Sequence, residues 1–258
     1  MDKDEVAAFQ PEHRIQVLDE GNWRFEYKYR LPVQQYLHVK NCIKPYMEID
    51  EYTNRAPGRK YLVRSIYYDS IFLDAFYEKV DGISDRIKFR IRSYAETMEE
   101  GQVLRAEMKV RKGAITEKHG SFISNTEYLA FMRTRHWPEV RDPVMAEFER
   151  YVHLKTLNPM LLTQYRREGY RSRSREEIRI TFDHQVKSAH SNSLFPASPA
   201  FHEHHYGVIV LEIKCIKQQP DWLRHLVQQH GLRIMANSKF VQGMMVSQPV
   251  MVTPSWSA

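Results

Sequence analysis

The sequence predicts an α+β fold: a closed antiparallel β-barrel with helices around it. Three observations predict it. Five short segments alternate charged and apolar residues with the period-two repeat of a strand. The chain holds 15 Tyr and 12 Phe, residues that favour strands. Its hydrophobic fraction of 42% against 27% charged residues is enough to build a core.

Residues 1–21 are polar, without periodicity, and are read as a loose arm. Residues 22–31 alternate like a strand, and Pro32 is read as opening a helix of roughly 18 residues. After the loop TNRAPGRK, 61–69 reads as a strand and 70–80 as a short helix ending near Gly82. Strands are expected at 85–94, 103–111 and 114–119, the last two joined by a KGA turn. Helices near 125–135 and 142–157 precede strands at 160–171 and 177–187. A long polar loop, read as mobile, covers 188–206, the segment 207–216 is a strand, and PDWLRHLVQQHG is a helix. One domain over 22–246, with a tail from 247 to 258, is the expected organisation.

Alternation assigns the faces. Glu26, Lys28 and Arg30 oppose Tyr27, Tyr29 and Leu31. Arg86, Lys88, Arg90 and Arg92 oppose Ile87, Phe89 and Ile91. Arg105, Glu107, Lys109 and Arg111 oppose Ala106, Met108 and Val110. Arg179, Thr181 and Asp183 oppose Ile178, Ile180 and Phe182, while Glu212 and Lys214 oppose Ile209, Leu211 and Ile213. A sheet with one solvated face explains any single strand of this set. It does not explain four cations in a row on 86–92, which repel one another unless a polyanion neutralises them. A barrel that turns its charged faces inward meets that need, and Arg matches phosphate oxygens bidentately. The carboxylates Glu26, Glu107 and Glu212 either pair with these cations or hold Mg²⁺ or Mn²⁺.

A net charge of +6 fits an anionic partner. Nucleic acid is disfavoured because the aromatic residues are read on the opposite strand face from the cations. The sequence contains no Walker GxxxxGKS loop and no Ser-His-Asp or Cys-His arrangement. Cys42 and Cys215 have no metal-ligand spacing and are read as buried thiols in a reducing compartment. Without a signal-like start or an apolar run of ~20 residues, a cytoplasmic chain with no membrane span is expected. The segment FHEHHYG groups His202, Glu203, His204 and His205, a weak candidate for a transition metal.

Eight pieces then occur in order: EYKYRL, RSIYYD, RIKFRIRSY, AEMKVRKG, YRREGY, IRITFD, VLEIK and NSKF. Together they resemble the polyphosphate polymerase (VTC) domain of the triphosphate tunnel metalloenzymes, relatives of the CYTH proteins. The resemblance implies a triphosphate tunnel, ATP and inorganic polyphosphate as partners, and Mn²⁺ or Mg²⁺ as cofactor. It implies that Lys28, Arg90, Arg92, Lys109 and Glu212 are catalytic, Glu212 as metal ligand. It also implies substrate contacts from Lys118, Arg167, Arg179 and Lys239, and the shared-face pattern adds Glu26, Arg30, Lys88, Arg111 and Lys214. The wider CYTH group carries ExExK on its first strand; here Arg24 stands at the first glutamate position, which moves the reading toward the polymerase branch. The SPX domain and membrane helices of the eukaryotic polymerase subunits are not expected in this chain. Two alternatives stand beside the polymerase: a metal-dependent triphosphatase, and a non-catalytic receptor for polyphosphate or an inositol phosphate.

Overall fold

The structure is a computed structural model that describes residues 25–100, 102–113, 115–174, 178–216 and 218–247. The expected arm, Arg24 and the expected tail beyond Ser247 lie outside the described residues, while Ser247 itself belongs to a helix. Ten strands form one sheet: β1 (Phe25–Pro32), β2 (Met47–Ile49), β3 (Tyr61–Asp69), β4 (Arg86–Ser93), β5 (Val103–Lys112), β6 (Ile115–Ser124), β7 (Asn158–Ser172), β8 (Ile178–His190), β9 (His202–Glu203) and β10 (Val208–Cys215). The helices are α1 (Val33–Ile43), α2 (Glu51–Arg55), α3 (Asp74–Val80), α4 (Asn125–Thr134), α5 (Pro143–Leu154), α6 (Asp221–Gln229) and α7 (Lys239–Ser247). The ladder runs β1-β10-β8-β7-β3-β4-β5-β6, antiparallel throughout, with β2 on β7 and β9 on β8.

The assigned faces are the observed ones. Outer-face residues Phe89, Ile91, Leu104, Ala106 and Met108 form a core with Phe131 of α4 and Phe148 of α5. Tyr29, Leu31, Ile180, Phe182, Leu211 and Ile213 form a second core with α1 and α6. Local signals start the helices: Ser124 and Glu127 make a reciprocal capping box on α4, and Asp142 caps α5 just before Pro143.

The barrel expectation needs correction. β1 and β6 end an open ladder, and no hydrogen-bonded pairing joins them. Period two reports faces but not the strand tilt and stagger that close a barrel. The sheet nonetheless wraps: Lys109 on β5 reaches Glu26 on β1 at 3.4 Å, and both β1 and β4 touch the segment before α7. The result is a cleft along the inner face, bridged by the Lys109–Glu26 contact. Helix α7 lies on its inner face against β7 and β8, where a Cβ on Gly243 would stand 2.5 Å from Ser188 Oγ, so only glycine permits the approach. Together α3 and α7 enclose Tyr67, Leu161, Phe240 and Met244.

Three smaller expectations also change. Helix α1 has 11 residues rather than roughly 18, because the residue before Pro45 disfavours helix and the chain turns into β2. The 188–206 segment is anchored: β8 continues to His190, Leu194 is fully buried among the α4 and α5 side chains, and its N–H donates to Tyr128 OH. Cys215 is buried but Cys42 is exposed, since the buried stripe of α1 runs through Tyr36, Val39 and Ile43 and leaves position 42 outside it. No helix among the described residues is long and apolar enough to cross a membrane.

Candidate functional site

Register brings the charged residues onto one concave surface. On β4 and β5, Arg86 faces Arg111, Lys88 faces Lys109, Arg90 faces Glu107 and Arg92 faces Arg105. Lys118 on β6 faces Lys109. Like charges directly opposite are unfavourable, so the pattern calls for anions.

Glu107 supplies one. It is 1% exposed; Arg90 Nε lies 2.6 Å, Arg105 Nε 3.6 Å and Arg92 Nε 3.8 Å from its oxygens, and Lys118 Nζ pairs with it too. Burial alone would raise its pKa, but Arg90, Arg92 and Lys118 outweigh burial and hold it well below the usual carboxylate range. Its role is that of an internal counter-ion. Arg90 also donates to Tyr67 OH at 3.0 Å, and Arg92 to Ser65 Oγ at 3.4 Å. Both guanidiniums are therefore held before any ligand arrives.

A second cluster joins β1 and β10. Lys28 Nζ lies 2.6 Å from Glu26 and 3.9 Å from Glu212; Lys214 Nζ lies 2.9 Å from Glu212. Burial and Glu212 push the Glu26 pKa up, yet Lys109, Lys28 and Lys214 bring it down to about 2. Burial likewise opposes ionisation of Glu212, but Lys214, Lys28, Arg167 and Lys239 hold its pKa far down, so it is a carboxylate at neutral pH. Beside it in the ladder is Thr181, whose buried hydroxyl has no hydrogen-bond partner among the described residues.

The third cluster centres on Asp183. Arg167 grips it with both prongs, at 2.6 and 2.8 Å, and Lys239 from α7 approaches to 2.5 Å. Tyr165 lies beneath both cations, 5.2 Å from Arg167 and 4.7 Å from Lys239. Just before α7, neither side-chain amide atom of buried Asn237 has a hydrogen-bond partner among the described residues, while its backbone carbonyl accepts from Lys28.

Other expected residues sit at the margins. Arg179 pairs with Asp50 at 3.1 Å, and Arg111 is turned back onto the carbonyl of Gly113. Arg30 lies on the inner face opposite Val210, and its buried Nε has no hydrogen-bond partner among the described residues. The histidine-rich segment does not assemble: His204 is buried against Ser188 Oγ at 2.8 Å and His202 is exposed.

Lys88 stands apart. Its Nζ donates to Ser238 Oγ at 3.2 Å and lies 4.9 Å from the Phe240 ring, and no carboxylate pairs with it among the described residues. Burial, then Arg86, Lys109 and Lys79, lower its pKa to about 7. The unfolded value is ~10.4, so between those limits the unfolded chain holds a proton that the folded one lacks, and Lys88 makes stability rise with pH there. A bound polyanion reverses the shift. Triphosphate binding at mildly alkaline pH is therefore expected to take up protons, read as a dependence of the calorimetric enthalpy on buffer ionisation heat. Burial, with Arg90 and Arg92, lowers the Lys118 pKa to about 7 as well, so Lys88→Met should remove part of that uptake, and an unchanged dependence would contradict this role for Lys88.

Aromatic placement corrects the sequence reading. Tyr61, Tyr67 and Tyr165 share the inner face with the cations. Tyr67 and Tyr165 are buried beneath guanidinium or ammonium groups and do not form an exposed stacking surface. These residues and Ser65 were legible by the same alternation applied to RSIYYD, which puts Ser65 and Tyr67 on one face. Asn237 and Ser238 carried no such signal, because they lie in an irregular segment before α7.

A wrapped antiparallel sheet with a cation-lined inner face is the architecture of a triphosphate tunnel protein. Residues 23–248 match the model of the VTC domain, and the chain belongs to that family. No curated protein sequence matches it. Among solved structures, a candidate adenylate cyclase from Bacillus halodurans has the same fold, with a TM-score of 0.50 at 14% identity, over 84% of this chain and 94% of that one. A second candidate adenylate cyclase, from Vibrio parahaemolyticus, matches with a TM-score of 0.43 at 12% identity, over 85% and 96%.

Proposed function

We propose that the protein is a polyphosphate polymerase, transferring the terminal phosphate of a nucleoside triphosphate, ATP in the first instance, to a growing polyphosphate chain. The observation that carries this reading is the inner row Arg86-Lys88-Arg90-Arg92, which runs along the cleft with Glu107 as its one ion-pair partner among the described residues. Such a row suits a linear polyanion of repeating charge better than a compact one.

The reaction asks little covalent chemistry of the protein. An oxygen of the polyphosphate end attacks the terminal phosphorus of the donor, the bond to the bridging oxygen breaks, and the nucleoside diphosphate leaves. The acceptor oxygen is already ionised, so no strong general base is required. Positioning and charge neutralisation do the rest. Arg90 and Arg92, fixed by Tyr67 and Ser65, are assigned to grip phosphate oxygens, and Lys28 and Lys109 to neutralise charge on the reacting group. Lys118, Lys214, Arg167 and Lys239 extend the cationic lining, and Arg179 and Arg111 serve an outer position.

The donor set fits a hard divalent ion. Glu212 and Glu26 offer only oxygen, Thr181 adds an unpartnered hydroxyl beside Glu212, and no group of three metal-ligating side chains lies there among the described residues. Mg²⁺ and Mn²⁺ suit such a site, with phosphate oxygens and water completing the shell. When bound, the ion supplies charge neutralisation on phosphate oxygens.

Incubation with ATP and Mn²⁺, followed by sizing on a gel, tests the proposal. Long chains together with nucleoside diphosphate are expected. Release of inorganic phosphate alone would replace the polymerase with a triphosphatase, and binding without turnover would leave a receptor.

A further inference from the structure

We propose a second metal site, on the helical layer outside the sheet, formed by His136, Glu149 and His153 and selective for a borderline transition ion such as Zn²⁺ or Co²⁺. One ligand atom from each residue lies within 4.8 Å of the other two. Glu149 and His153 are one turn apart on α5, and His136 comes from the connection between α4 and α5.

The connection is held in place. Arg135 ends α4 in the left-handed region, with φ 63°, and its guanidinium donates to Leu157 O at 3.0 Å and Asn158 Oδ1 at 2.8 Å. Trp137 is buried, stacked on Phe131 at 3.8 Å, and donates through Nε1 to Met145 O at 3.0 Å. His136 is thus bracketed by two fixed residues.

Outer partners also orient the ligands. The Trp137 N–H donates to Glu149 Oε2 at 2.7 Å, leaving Oε1 to face His136 Nδ1 at 2.8 Å. His153 Nε2 lies 3.0 Å from the Arg135 carbonyl, so the ring is anchored to the α4 terminus. A carboxylate fixed by a backbone amide and an imidazole fixed by a carbonyl are the supports that metal ligands have.

A simple ion pair needs only one histidine. Here the second imidazole stacks on the first, with centroids 4.5 Å apart and 27° between planes. The pair thus brings two imidazoles to the same side of the Glu149 carboxylate, within reach of one cation. A metal bound at His136 Nδ1 would replace that nitrogen's hydrogen bond to Glu149, the single proton of the neutral ring residing on Nε2. Two imidazoles and one carboxylate suit Zn²⁺, Co²⁺ or Ni²⁺ rather than Mg²⁺, so this site and the cleft do not compete for the same ions. The His136 side chain is 63% exposed, which gives the ion a direct path and water access to the remaining position. Bound metal would staple the α4–α5 connection to α5, whose Phe148 packs on the outer face of β4.

The test uses the full chain without a polyhistidine tag, stripped with chelator and titrated with Co²⁺ while visible absorption is recorded. The wild type is expected to bind one Co²⁺ with a d–d band that Zn²⁺ abolishes. His136→Ala and His153→Ala should each weaken Co²⁺ binding by at least about tenfold. His202→Ala and Glu212→Gln should leave the band intact, which separates this site from the other histidine cluster and from the cleft. The exposed position of His136 makes its variant safe for folding. No Co²⁺ or Zn²⁺ binding by the wild type, or wild-type affinity in both the His136 and His153 variants, would overturn the proposal.

Discussion

Glu212→Gln is expected to lower metal-dependent turnover by on the order of a hundredfold while leaving triphosphate affinity unchanged or stronger. The argument starts from strand alternation: Leu211 and Ile213 enter the outer core, so Glu212 faces the cleft. There it is 6% exposed and held as a carboxylate by Lys214, Lys28, Arg167 and Lys239 against the cost of burial. Gln keeps the shape but removes the charge. If Glu212 holds the divalent ion, the variant needs far more Mn²⁺ for any given rate. If Glu212 only balances Lys28 and Lys214, the freed ammonium groups bind phosphate more tightly and the Mn²⁺ dependence stays as in the wild type. Turnover measured against Mn²⁺ concentration in both proteins separates the cases, and superimposable curves would refute metal ligation.

Glu107→Gln is expected to act on stability instead. Glu107 is buried and is the shared partner of Arg90, Arg92, Arg105 and Lys118. Removing one member of a buried ion pair costs ~3–5 kcal/mol because the remaining charges are left uncompensated. Arg105 and Lys118 are partly exposed, so water screens their share and the lower end of that range applies. For a domain of this size the melting temperature should fall by roughly 10 °C. Triphosphate should restore more stability to the variant than it adds to the wild type, since its oxygens replace the lost counter-ion. Melting curves with and without triphosphate check both parts. A variant that melts like the wild type would show that Glu107 does not hold the cations together.

Much of this site was legible because alternation is a local rule with a long reach. RIKFRIRSY and AEMKVRKG place Arg90, Arg92 and Lys109 on the inner face whatever the rest of the chain does, since Phe89, Ile91 and Met108 must be buried. The rule says nothing about which strand sits opposite, so the pairing of Arg92 with Ser65 and of Arg90 with Tyr67 emerged only from the β3–β4 register. Curvature was also out of reach: an open ladder and a closed barrel have the same inner and outer faces. The long loop misled because Ser, Asn and Pro between 188 and 200 hide Leu194, the fully buried anchor that, with Phe195 and Phe201 packed beside it, ties the segment to the core. Helix α7 gave little signal, since it is only nine residues long and carries Gly243, a weak helix former, beside its buried Phe240, Val241 and Met244.

The central claim is that the inner cationic face binds a linear polyanion, and calorimetric titration of Arg90→Ala and Arg92→Ala with triphosphate tests it most directly. Each charge-assisted hydrogen bond contributes ~1.5–3 kcal/mol, so each variant should bind roughly tenfold or more weakly than the wild type. Affinity should also fall as salt is raised in all three proteins, because the contacts are ionic. Wild-type affinity in both variants would contradict the claim.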